Sequence, residues 1–125
     1  MAHAYILVVD DEPDIRRLLK EILEDEGYEV GTAENASEAR QLRRARRPDL
    51  ILLDIWMPDA DGITLLKEWS EDEVPHIPVI MMSGHGTVET AVEATRLGAF
   101  DYIEKPFTPD TLIATVSNVF RARST

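Results

Sequence analysis

Two textures alternate along the chain. Short apolar runs rich in β-forming residues, "AYILVV" (4–9), "DLILLD" (49–54) and "VIMM" (79–82), read as buried strands. Between them lie longer stretches in which apolar residues recur at helical spacing. Pro13 suits the first turn of a helix, and Ile15, Leu18, Leu19, Ile22 and Leu23 give it one apolar face up to a C-cap at Gly27. "YEVGTA" (28–33) alternates more weakly and predicts a more exposed strand. "NASE" (35–38) has the form of a capping box, with Asn35 as cap and Glu38 reaching back, and the helix it opens runs to about Arg46 before Pro48 stops it.

The second half repeats the alternation. "IWMPDADG" (55–62) predicts a loop, with Pro58 and Asp61-Gly62 as turn signals, and "ITLLKEWS" (63–70) a short helix with Ile63, Leu66 and Trp69 inward. A polar connection (71–78) leads to the "VIMM" strand. "SGHG" (83–86) is a flexible turn, and "TVETAVEATRLG" (87–98) a helix capped by Thr87, ended by Gly98 and apolar at Val88, Ala91, Val92 and Leu97. "AFDYIEK" (99–105) is a last strand, and Pro109 opens a final helix through about Arg121. Five strand–helix units in strict alternation imply an α/β fold, a doubly wound parallel sheet with right-handed crossovers and helices on both faces.

Composition narrows the class. A length of 125 residues suits one domain spanning 1–125. The absence of cysteine removes disulfides and thiolate zinc sites and fits a reducing cytosol. No apolar run approaches the ~20 residues of a membrane span, and "MAHAYILVVDDE" lacks the features of a signal peptide. The net charge is −11, yet "RQLRRARR" (40–47) holds five of the thirteen basic residues. Such an acidic body argues against direct nucleic-acid binding. The arginines offer either a partner patch or, as the favoured reading, a solvated helix face.

The chemistry is suggested by what the strands end with, because open parallel sheets bind ligands at the carboxyl ends of their strands. The first strand ends in Asp10-Asp11, the third in Asp54, the fourth in Ser83, and the fifth runs out to Lys105. Adjacent carboxylates raise one another's pKa, and a hard divalent cation with oxygen ligands relieves that repulsion. Taken alone, Asp10 and Asp11 fit an acidic strand end as well as a metal site. With Asp54, Ser83 and Lys105 in register, the set fits metal-assisted phosphoryl transfer, with an aspartate as nucleophile. Glu12 reads as a helix N-terminal acid favoured by the macrodipole.

"ILVVDDEPD", "DLILLDIWMPDADG", "VIMMSGHG" and "FDYIEKPF", in this order and spacing, resemble the receiver domain of two-component response regulators. The resemblance implies a flavodoxin-like (βα)5 fold with strand order 2-1-3-4-5. It implies that Asp54 accepts a phosphoryl group from a sensor histidine kinase. Asp10, Asp11 and Asp54, with the backbone carbonyl of Trp56, would hold Mg2+, or Mn2+ in its place. Ser83 and Lys105 would bind the phosphoryl oxygens, Ser83 and Tyr102 would form the switch, and Lys105–Pro106 would be a cis peptide. Trp56 and His85 would set the phosphate lifetime; Trp56 equally suits a rim cover, and for His85 an exposed loop histidine is the favoured reading. His3 and His76 read as surface residues. The domain would catalyse only its own phosphorylation and dephosphorylation, in the cytoplasm.

The stretch "SGHGTVETAVEATRLGAFDYIEKPF" is similar to receivers of the nitrogen-regulation type, which are attached to sigma-54 activators. This implies control of an output domain and transcription regulation by an excised N-terminal domain, with a homodimer through the fourth helix, fifth strand and fifth helix. Alternatives are a stand-alone regulator and an aspartate-nucleophile phosphohydrolase. The latter needs a catalytic aspartate two residues past the nucleophile, where this chain has Trp56.

Overall fold

The computed structural model describes residues 4–55, 62–70, 77–84 and 88–123. Its elements are β1 (Tyr5–Val9), α1 (Pro13–Asp25), β2 (Glu29–Ala33), α2 (Ala36–Ala45), β3 (Leu50–Asp54), α3 (Gly62–Ser70), β4 (Val79–Ser83), α4 (Val88–Arg96), β5 (Asp101–Glu104) and α5 (Pro109–Arg123). All strands are parallel, in the order β2-β1-β3-β4-β5. The order reverses between β1 and β3, which opens a crevice at their carboxyl ends.

Every residue of β1, β3 and β4 is buried, because each strand is covered on both faces; this is why they read as unbroken apolar runs. The edge strands β2 and β5 carry exposed positions. The pleat sorts side chains between two cores. Leu7, Val9, Ile51, Leu53 and Met81 pack with Ala39, Leu66 and Ala94 from α2, α3 and α4. Ile6, Val8, Leu50, Leu52 and Met82 pack with Leu19, Leu23, Leu112 and Val116 from α1 and α5.

Local signals account for the helix ends. Gly27 and Gly98 follow α1 and α4 at φ 93° and 110°, in the left-handed region that glycine enters without strain. Asn35 Oδ1 accepts from the Glu38 amide at 2.8 Å. Glu38 Oε1 accepts from the Glu34 amide at 3.2 Å, one residue earlier than the reciprocal bond of a capping box. Thr87, the expected cap of α4, lies outside the described residues.

Three burial details differ from the periodicity. Leu18 is 40% and Val92 53% exposed, whereas Leu65 is fully buried. The arginine tract also departs from a freely solvated face. Arg40 grips Glu68 of α3 with bonds of 3.2 and 2.6 Å, and Arg43 lies over the Trp69 ring at 5.4 Å. Arg46 lies over the Tyr5 ring at 4.1 Å and pairs with Glu29. These residues clamp α2 to α3 and to the amino ends of β1 and β2. Trp69 is core, and no described helix is long and apolar enough to cross a membrane.

Candidate functional site

Backbone pairing brings the strand ends together. Val9 stands opposite Leu53, and Asp54 opposite Met82, so Asp10 and Asp54 finish neighbouring strands side by side. The Asp10 amide donates to the Ala33 carbonyl at 3.0 Å, and the Lys105 amide to the Ser83 carbonyl at 2.9 Å. The pleat gives Asp10, Asp54 and Lys105 the parity of Val8, Leu52 and Ile103, which belong to the α1–α5 core. Ser83 has the parity of Met81, and Tyr102 packs against the opposite core. Acids and ammonium thus share one face of the sheet edge, and hydroxyl and aromatic share the other.

The charges on the first face are closely packed. Lys105 Nζ lies 2.7 Å from Asp10 Oδ2, 3.4 Å from Glu12 Oε1 and 3.7 Å from Asp54 Oδ1. Asp10, Asp54 and Ser83 are the buried polar residues of the described structure. Burial pushes the Asp10 carboxyl above its ordinary range; the Lys105 contact and the Glu12 amide oppose this without cancelling it, and the Glu12 charge adds to the rise. Burial alone would lower the Lys105 ammonium. Its contact with Asp10, and the charges of Asp10, Asp54 and Glu12, outweigh burial and hold it above an ordinary lysine.

The turn after β1 is built to present these groups. Asp10 Oδ1 accepts from the Glu12 amide at 2.9 Å, which fixes the Asp10 side chain. Arg16, in the first turn of α1, donates to the Asp10 carbonyl at 2.7 Å. Asp11 is exposed beside them. After β3 the chain returns so closely that the Gly62 amide donates to the Ile55 carbonyl at 2.6 Å. A Cβ at Gly62 would stand 2.9 Å from Ile55 Cα and collide with the Asp54 carbonyl, so the turn requires glycine.

Asp10, Asp11 and Glu12 can each offer one carboxylate oxygen, all within 4.8 Å of one another. An acidic cluster alone does not make a metal site. A second observation bears on it: Asp10 Oδ2 is buried, and among the described residues the Lys105 ammonium at 2.7 Å is its one positive neighbour. An all-oxygen donor set that includes a buried carboxylate fits a hard cation such as Mg2+.

Of the residues singled out from the sequence, Asp10, Asp54 and Lys105 meet directly, and Asp11 flanks them. Ser83 is buried at the adjoining strand end. The Tyr102 hydroxyl is buried without a hydrogen-bond partner among the described residues. The Lys105–Pro106 peptide is cis. Trp56, with its carbonyl, and His85 lie outside the described residues. Sequence reasoning missed Glu12 as a partner of Lys105 and Arg16 as a brace. An arginine in the first helical turn after an acidic strand end was the available signal for the latter.

The family profile described as "Response regulator receiver domain" matches residues 6–117. The nitrogen assimilation regulatory protein NtrX of Azorhizobium caulinodans is 54% identical over 115 residues, covering 90% of this chain and 25% of the relative. The regulatory protein AtoC of Escherichia coli is 44% identical over 119 residues, covering 95% of this chain and 26% of the relative. The crystal structure of NtrX from Brucella abortus superposes with a TM-score of 0.90 at 48% identity, covering 97% of this chain and 27% of that one. The solution structure of the beryllofluoride-activated NtrC4 receiver domain dimer gives a TM-score of 0.88 at 40% identity, covering 94% and 97%. This chain spans about a quarter of the length of these two curated relatives.

Proposed function

This chain belongs to the response regulator receiver family, and from that premise we propose that Asp54 is the phosphoacceptor of a signalling switch. The observation that carries the reading is the placing of Asp54. It ends the fully buried central strand β3, its side chain is 5% exposed, and it lies beside a second buried acid and 3.7 Å from the one ammonium of the described cluster. An Asp54 carboxylate oxygen attacks the phosphorus of a kinase phosphohistidine. The P–O bond forms, the P–N bond breaks, and the imidazole leaves neutral after taking up a proton.

Asp10, Asp11 and Asp54, with the Trp56 carbonyl, would hold Mg2+, which when bound neutralises charge building on the phosphoryl oxygens. Lys105 supplies a second positive charge to those oxygens, and Ser83 a hydroxyl donor. Asp10 is kept in place by the Glu12 amide and Arg16 by the Asp10 carbonyl, so the acids are oriented before substrate arrives.

Transfer leaves a negatively charged group at the sheet edge. Ser83 moves toward it, and Tyr102, already packed on the core shared with α4, follows into the space. The readout surface is α4, β5 and α5. Dimerisation is supported by the likeness to an activated receiver dimer, and its placing on that surface follows from the sequence resemblance. The names of the relatives support a receiver of the nitrogen-regulation type; its coupling to the output domain of a sigma-54 activator and its cytoplasmic location follow from the sequence resemblance. Asp54→Asn is expected to abolish labelling by acetyl phosphate or by the cognate kinase; labelling at the wild-type rate would refute the assignment.

A further inference from the structure

Three carboxylates share Lys105 unequally. The ammonium is nearest Asp10, next Glu12, and farthest from Asp54, the group it serves in transfer. The partners also differ in freedom. The side chains of Asp10 and Asp54 are 0% and 5% exposed, and that of Glu12 is 59% exposed. Glu12 occupies the N-cap position of α1 yet makes no side-chain capping bond. An N-cap side chain ordinarily accepts from the first turn of its helix. Here the carboxylate turns to Lys105, across 93 residues of sequence.

We propose that Glu12 is a positioning residue that holds Lys105 back from Asp54 and competes with the incoming phosphoryl group for its ammonium. The inference rests on Asp54 being the phosphoacceptor. On the proposed reading Asp10, Asp11 and Asp54 would hold the metal, which would leave Glu12 as the carboxylate for Lys105. It is also the exposed member of the three around Lys105, and therefore the one that lets go most readily when a phosphoryl oxygen arrives. Glu12 thus sets how easily the lysine crosses the site.

The test compares beryllofluoride affinity at saturating Mg2+ for the wild type, Glu12→Gln and Glu12→Asp, followed by tryptophan fluorescence or calorimetry at low ionic strength. Glu12→Gln removes the charge; Glu12→Asp keeps it and shortens the reach by one methylene. Both are expected to tighten binding by about two- to fivefold, the scale of a partly exposed ion pair, and the gain fades as salt is added. Mg2+ affinity measured without beryllofluoride should weaken in Glu12→Gln and hold in Glu12→Asp. Unchanged beryllofluoride affinity in Glu12→Gln overturns the proposal. So does a Glu12→Asp variant that matches the wild type while Glu12→Gln tightens, since charge without contact would then suffice. A wild type that binds no beryllofluoride would instead overturn the reading of Asp54.

Discussion

At the amino ends of the strands, charges meet in opposite pairs near solvent. Arg46 pairs with Glu29 and covers Tyr5, while the Tyr5 amide donates to Asp49 Oδ2 at 2.8 Å and the Asp49 amide returns a bond to the Tyr5 carbonyl at 2.7 Å. At the carboxyl ends, two buried acids and Glu12 are massed around one lysine, three carboxylates to one ammonium. One sheet therefore has an end where charges are matched and an end where acids outnumber their cation. The first arrangement serves stability. The second gathers like charges whose repulsion a bound cation would relieve.

Metal should break this contrast most strongly. Mg2+ at a hundredfold its dissociation constant is expected to stabilise the wild type by about 2.7 kcal/mol. Asp10→Asn should remove that gain, read from urea unfolding with and without Mg2+. Without metal, the same variant should be more stable than the wild type near neutral pH, by about 1 kcal/mol. The sign follows from the raised Asp10 pKa. Its contribution to stability is full below the unfolded carboxylate value and is lost as pH rises through the folded one. Asp10→Asn should flatten the stability profile across that acidic window; an unchanged profile would mean that Asp10 is not strained.

A steric change at the other end should cost somewhat less. A Cβ on Gly31 would collide with the Tyr5 hydroxyl and stand 3.0 Å from Tyr5 Cζ, under a ring already covered by Arg46. Gly31→Ala is expected to destabilise by about 1–2 kcal/mol, with phosphorylation by acetyl phosphate unaffected in the folded fraction. A loss of labelling rate there would blur the division between the two ends. Smallest of all should be Glu29→Gln. Its melting temperature at physiological salt should match the wild type, because its pair with Arg46 is half-exposed and screened.

Much of this was legible in the sequence, for identifiable reasons. Strands buried on both faces admit only apolar residues, so "ILVV" ending in Asp10 and "LILL" ending in Asp54 marked both the elements and the exceptions at their ends. The sides of the sheet edge were not: separating Ser83 from Lys105 needs the register between β4 and β5. Nor was the turn after β1, because Glu12 satisfies no local capping pattern and finds its partner 93 residues away. The exposure of Val92 was equally hidden. It depends on which side of α4 meets β5, and there Ala94 and Ala99 take the buried places. The arginine tract is largely solvent-facing as read, with Arg44, Arg46 and Arg47 exposed, but spacing says nothing of the Glu68 and Trp69 that meet Arg40 and Arg43 from α3.

The 93-residue span between Glu12 and Lys105 also bears on timing. Synthesis yields Asp10, Asp11 and Asp54 long before Lys105, and domains generally form as their chain emerges. A nascent chain that has paired β1 with β3 holds the acids and lacks the ammonium, which arrives only when the edge strand β5 zips onto β4. The site is thus closed by the last strand added. On the proposed reading, competence to accept a phosphoryl group would coincide with completion of the sheet.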